Sequence, residues 1–166
     1  MQRRRFLAPL AGATVLAGCG FKLRQAPTFA FNSLYISAPV TSPLAVELQR
    51  NMDAAGTVEV HRDAMRQAAG EAIFELISEQ RESVVVGLNA SGQVRELQLR
   101  LRVRFRLHTP DGRELLPSTE VLQYREVSYS ETLALAKEAE QELLYRNMQT
   151  DIVRQIMRRL AAVKSL

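Results

Sequence analysis

Arg100, Arg102, Arg104 and Arg106 recur at every second position between Leu97 and His108. On a strand this spacing sets the guanidinium groups on one face, about 6.6–7 Å apart along the chain. A guanidinium is a planar fork of donors that matches a phosphate or a carboxylate. Three settings fit such a row. It can meet the phosphates of an anionic glycolipid, or the polar lumen of a barrel protein. It can also pair with acids on neighbouring strands, for which Glu75, Glu79, Glu120 and Glu126 are at hand. Other reactive side chains are sparse: one cysteine, Cys19, and two histidines, His61 and His108. A structural zinc site needs about four Cys or His ligands, so no metal site is expected. No nucleophile elbow, zinc-protease helix, phosphate-binding loop or dinucleotide fingerprint occurs. A lone histidine without a positioned partner is a surface residue more often than a base. His61 falls in an expected loop and His108 at the end of the arginine strand. Glu138 and Glu142, four apart on a polar helix, read as solvated. No catalytic residue is assigned, and the chain is expected not to be an enzyme.

Cys19 has a context of its own. Arg3 to Arg5 precede an apolar run, Phe6 to Leu16, and Leu16-Ala17-Gly18-Cys19 closes it. A cationic start, a short apolar core and small residues before a break describe an export signal. The run is well short of the roughly 20 residues that span a bilayer. The last four residues match the bacterial lipobox. In that reading residues 1–18 are a signal peptide, the Cys19 thiol takes a diacylglycerol, and the new amine is acylated. These acyl chains are the only non-protein groups expected. Gly20 in place of an aspartate favours the outer membrane over the inner.

The chain has 166 residues, enough for one ordinary domain, with 24% charged and 46% hydrophobic residues. Its formal charge of +4 is misleading. Without the leader's three arginines, 19 of the 22 basic residues remain against 18 acids. A nearly neutral domain argues against a nucleic-acid partner.

Residues 19–30 read as a lipidated tether and 31–166 as a single domain. Phe31 to Ser37 is expected as a strand. Ser42 then caps a helix with Pro43 at its first position, and Gly56 ends it. Thr57 to Val60 is a short β-branched run expected as a second strand, and residues 61–70 a loop or brief helix. Ala72 to Leu88 is one long bent strand or two. Leu97, Leu99, Leu101, Val103, Phe105 and Leu107 alternate with the polar set, which predicts a strand with one dry and one wet face. Pro110-Asp111-Gly112 turns it back into a strand over 114–129, with Pro117 marking a break, edge or bulge. From Glu131, capped by Ser130, Leu144, Met148, Ile152, Ile156 and Leu160 give a helical stripe. The expected fold is α+β: a two-layer sandwich of a mostly antiparallel four-stranded sheet with two helices on one face, ordered β-α-β-β-β-α.

Two segments carry a family resemblance. Cys19-Gly20-Phe21-Lys22-Leu23-Arg24 fits C-G-[FW]-x-L-R, and Ala134-Leu135-Ala136-Lys137-Glu138-Ala139-Glu140-Gln141 fits A-L-A-K-[DE]-x-E-Q. In these motifs, and in its element order, the chain resembles the lipopolysaccharide-assembly lipoprotein LptE family. The resemblance implies a plug inside the LptD barrel that helps assemble it and binds lipopolysaccharide. It implies a ligand contact at Lys137, whose bland alternative is an ordinary exposed helix lysine. The family's second basic position falls on Ala90 here, so Arg95 or the arginine strand is the substitute.

The reading is a non-enzymatic lipoprotein held by its lipid on the periplasmic side of the outer membrane. Its partners are LptD, in a one-to-one pairing, and lipopolysaccharide. The alternatives are a free-standing lipid-binding shuttle, which needs an apolar pocket, or a structural envelope lipoprotein.

Overall fold

The alternation along the arginine segment is realised as one strand of a five-stranded sheet. The computed structural model describes residues 27–129 and 134–166. In chain order these form β1 (Ser33–Ser37), α1 (Pro43–Ala55), β2 (Glu59–His61), a 3-10 segment (Ala64–Ala69), β3 (Ala72–Leu88), β4 (Val94–His108), β5 (Glu114–Ser128) and α2 (Ala134–Ala161). The signal peptide, Cys19, most of the tether and the Ser130 cap lie outside the described residues.

The sheet order is β2-β1-β3-β4-β5. β1 runs parallel to both β2 and β3, while β3, β4 and β5 form an antiparallel meander. The α+β class and the order of the long elements agree with expectation, but there are five strands, not four. The short β-branched run after α1 is a strand as expected, though the count of four leaves it out; it pairs as Ser33↔Glu59 to Tyr35↔His61 and places His61 on a strand end. Parallel neighbours need a long crossover, and α1 supplies it.

The dry face of β4 is the centre of the core. Leu99, Leu101, Val103, Phe105 and Leu107 are fully buried against Met148, Ile152, Val153, Ile156 and Leu160 of α2 and Leu44, Leu48 and Met52 of α1. Phe105 stacks on Phe74 of β3 at 5.3 Å between ring centroids. Glu47 ties the helices together, accepting from Gln149 Nε2 at 2.6 Å and Thr150 Oγ1 at 2.7 Å.

The local signals around α1 act as the sequence suggests. Ser42 Oγ accepts from the Ala45 N–H at 3.1 Å and donates to Glu79 at 2.7 Å, with Pro43 first in the helix. Gly56 closes α1 at φ +67°, and its N–H reaches the Met52 and Asp53 carbonyls. Any other residue would be strained in that left-handed conformation.

β3 is one strand, bent by register shifts between Leu76 and Ser78 and between Val85 and Gly87. β5 shifts register where Leu107 faces Leu116 and Phe105 faces Thr119, which is where Pro117 sits. Near β1 the second face of the sheet is covered by the 3-10 segment. A side chain at Gly70 would come within 3.0 Å of Tyr35, so this coverage requires a glycine.

Candidate functional site: the open face of the sheet

Beyond β1 the sheet narrows to the three-stranded meander, whose face away from the helices carries the arginines. The register sets Arg106 beside Glu75, Arg104 between Ser78 and Glu120, Arg102 between Gln80 and Leu122, and Arg100 between Glu82 and Tyr124. The wet face thus has three columns with β4 in the middle, because side chains on paired strands point the same way at matched positions.

Three of the four guanidinium groups are held by acids of the same sheet. Glu120 takes Arg102 Nη1 at 3.0 Å on one carboxylate oxygen and Arg104 Nη2 at 3.1 Å on the other. Its carboxyl sits below the usual range, chiefly through the Arg104 hydrogen bond, against a smaller upward push from burial. Glu75 accepts from Arg106 Nη2 at 2.6 Å and lies 3.5 Å from His108 Nε2. The other ring nitrogen, His108 Nδ1, lies 2.9 Å from the Thr109 carbonyl. Cross-strand pairing, one of the three settings the sequence left open, therefore describes these three arginines.

Of the acids named for that pairing, Glu79 instead binds Ser42 on the helix side, and Glu126 accepts from Gln98 at 3.2 Å. Arg100 differs from its neighbours. Its Nε donates to Gln98 Oε1 at 2.6 Å, and among the described residues no carboxylate pairs with it. Tyr124 and Leu122, 55% and 44% exposed, stand beside it on β5. A guanidinium with unspent donors next to exposed apolar surface suits a ligand or partner with both an anionic and an apolar part. Sequence pattern does not reveal this apolar patch, since both faces of β5 mix polar and apolar residues.

Lys137 is not an ordinary exposed helix lysine. Its side chain is only 17% exposed, and Nζ donates to Glu140 at 2.7 Å and to Ser128 Oγ, at the end of β5, at 3.3 Å. Arg95 is exposed and shares this end of the sheet, where its carbonyl accepts from the Tyr129 N–H. Ala90 lies in the adjacent turn, which Asn89 organises by accepting from the Ser91 and Gln93 N–H groups. Arg95 and Arg106 are eleven strand positions apart, about 37 Å. The four arginines therefore line the length of one face, while Arg95, odd-numbered like Leu97, and Lys137 of α2 stand on the helix side at its far end, so the candidate residues do not converge on one pocket.

Two further clusters escape the sequence reading. Glu142 is not simply solvated: it pairs with Arg81 at 3.1 Å, and Arg81 lies 5.1 Å from the centre of the Tyr145 ring. Tyr145 donates to the Glu82 carbonyl, and burial pushes its phenol up against the opposing pull of Arg81. Arg125 bridges β5 to α2 through Asp151 at 3.2 Å. These contacts join α2 to β3 and β5 at separations that no local spacing signals. Among the described residues no group of three or more His, Cys, Asp or Glu is arranged to hold a metal, and no helix is long and apolar enough to cross a membrane.

The fold and face define an α+β scaffold with a broad, internally hydrogen-bonded polar surface. Residues 31–160 match the family model LptE, lipopolysaccharide-assembly, and the chain belongs to that family. It is 34% identical to an LPS-assembly lipoprotein LptE from Yersinia pestis, with 97% of this chain and 78% of that protein covered. Among solved structures it is similar to an uncharacterized lipoprotein B from Nitrosomonas europaea, with TM-score 0.72, 35% identity and 86% of this chain and 91% of that chain covered. The rare lipoprotein B from Shewanella oneidensis gives TM-score 0.65, 25% identity and coverage of 79% and 95%.

Proposed function

We propose that this chain is an outer-membrane lipoprotein, acylated at Cys19, that sits in the lumen of the LptD β-barrel. There it helps the barrel assemble and takes part in delivering lipopolysaccharide to the cell surface. It performs no catalysis and carries no cofactor beyond its acyl chains. The acyl groups anchor firmly, since each buried methylene contributes about 0.8 kcal/mol. Seven residues lie between Cys19 and Pro27, so Pro27 stays within roughly 30 Å of the anchor.

The observation that carries the reading is the open face itself. Its charges are largely matched within the sheet by Glu75 and Glu120, while its side chains still offer donors and acceptors to a polar wall. Such a face suits a water-lined barrel lumen, whose inward residues are polar. Arg100, beside Tyr124 and Leu122, is the arginine of the row that no carboxylate among the described residues holds, which leaves its charge for a glycolipid phosphate, and Arg95 and Lys137 serve the far end on the helix side. The shuttle alternative needs apolar space for acyl chains between the layers. That space is filled: Leu101, Phe105, Met148 and Ile156 are fully buried there.

The test is purification of the lipidated protein from native membranes after mild crosslinking. One large outer-membrane barrel at a one-to-one ratio is the expected product. Recovery alone, or with soluble or inner-membrane partners, would contradict the proposal and favour the shuttle. Neutral variants at Arg102 and Arg104 are the sharper follow-up. Reversing both charges would crowd new acids around Glu120 and disturb the sheet itself.

A further inference from the structure

α2 divides by charge. Its first half carries Glu138, Glu140 and Glu142 against Lys137 and Arg146, whereas Ile152 to Leu166 hold Arg154, Arg158, Arg159 and Lys164 and no acid. The helix dipole favours cations only in the last turn, here Arg158 and Arg159. It accounts neither for Arg154, a turn earlier, nor for Lys164, beyond the helix end at Ala161. Arg154 pairs with Asp151 at 3.4 Å, but among the described residues no carboxylate pairs with Arg158, Arg159 or Lys164. Arg158 and Lys164 are exposed, while Val163 and Leu166, on either side of Lys164, pack on the core and hold this segment to the domain.

This basic segment lies at the end of the domain where the tether enters. Tyr145 of α2 donates to the Glu82 carbonyl, and Glu82 pairs with Arg100. From Tyr145 to Leu160 is about 22 Å of helix, and from Arg100 to Leu107 about 23 Å of strand, so α2 and β4 end level. β4 ends where β3 starts, with Ile73 facing His108. There the Asn32 N–H donates to Glu71 at 2.8 Å, and Thr57 Oγ1, two residues before β2, donates to the Pro27 carbonyl at 3.3 Å. The preceding segment, Cys19 to Ala26, adds Lys22 and Arg24 and no acid.

We infer that this end is a docking surface for anionic phospholipid headgroups in the leaflet that carries the Cys19 acyl chains. The inference rests on the proposed acylation of Cys19 and not on the barrel. The tether is short enough to keep the surface within reach, since Pro27 stays within roughly 30 Å of the anchor. Acyl chains and a basic patch together make a two-part anchor. Each basic residue near an anionic leaflet strengthens binding about fivefold. Docking sets Arg158, Arg159 and Lys164 at the phosphates and points the far end, with Arg95 and Lys137, away from the leaflet.

The test is resonance energy transfer from a dye on the Ser165→Cys variant of the lipidated protein to a headgroup-labelled lipid. Vesicles of phosphatidylcholine alone are compared with vesicles containing about 30% phosphatidylglycerol. Transfer should be high in the anionic vesicles and low in the neutral ones. Arg158→Gln, Arg159→Gln and Lys164→Gln should each lower the docked-to-free ratio about fivefold, and all three together about a hundredfold, with melting curves like wild type. Equal transfer in the two vesicles would overturn the inference, and so would a triple variant that docks as wild type does. Flotation with the same vesicles reads the acyl anchor separately. A chain that floats with both but shows equal transfer overturns the docking and leaves acylation standing. A chain that floats only with the anionic vesicles supports the basic surface and contradicts acylation, and one that floats with neither overturns both.

Discussion

The two faces of β4 are built from the same fifteen residues and do opposite work. On the helix side Leu99 to Leu107 are entirely excluded from solvent. On the open side Arg104 and Arg106 keep about half of their side-chain surface, at 51% and 46%. Burial of large apolar side chains dominates folding, whereas solvated ion pairs contribute little. The dry face therefore fixes the fold, and the wet face is free to be chosen for a partner. Its pairing by Glu75 and Glu120 offsets part of its positive charge without tying it to stability.

The largest effect that sharpens this contrast is on the dry face. Phe105→Ala removes the ring stacked on Phe74, and urea denaturation should show a loss of about 3–5 kcal/mol. Arg104→Gln, one residue away on the wet face, should change stability by no more than about 0.5 kcal/mol. Equal losses would break the contrast. Next is Ser42→Ala, which removes the α1 cap and leaves Glu79 without its hydroxyl donor. The expected cost is about 1 kcal/mol in the same assay.

A smaller effect is pH-dependent. The folded-state carboxyl of Glu120 is lowered by Arg104 and Arg102 from an ordinary value of 4.5. A lowered carboxylate stabilises the fold above its unfolded value and loses that contribution as pH falls through the folded one. Wild type should therefore exceed Glu120→Gln in stability at pH 6, and the gap should close as acid titrates below about 4.5. Melting both proteins across pH 6 to 3 checks this. A gap that widens in acid would contradict the pairing. The smallest effect on stability belongs to Arg100→Gln, which breaks no ion pair seen in the sheet. Its melting curve should match wild type while recovery of the membrane partner falls.

How far the sequence alone reaches follows from the same contrast. The period of two from Leu97 to His108, the Ser42-Pro43 start and the Gly56 stop are local signals, and each predicts its element correctly. The acids Glu75 and Glu120 were identifiable as candidates, but choosing between internal pairing and an outside ligand needed the register. β3 was ambiguous because its register shifts near Ile77 and Val86 break the alternation. The short strand after α1 is legible in its β-branched residues, but a three-residue strand carries too little pattern to show that it joins the main sheet, so the count of four is one short. The Arg81–Tyr145–Glu142 cluster and the lone state of Arg100 depend on where α2 and β5 lie, and nothing in the spacing encodes that.

The central claim is that the open face, not the helix layer alone, meets the membrane partner. A photo-crosslinking residue in place of Arg104, in cells making the lipidated protein, tests it most directly. The account predicts a single adduct with one large outer-membrane barrel protein. Adducts only with soluble periplasmic proteins, or none under conditions where sites on the helix layer crosslink well, would contradict it.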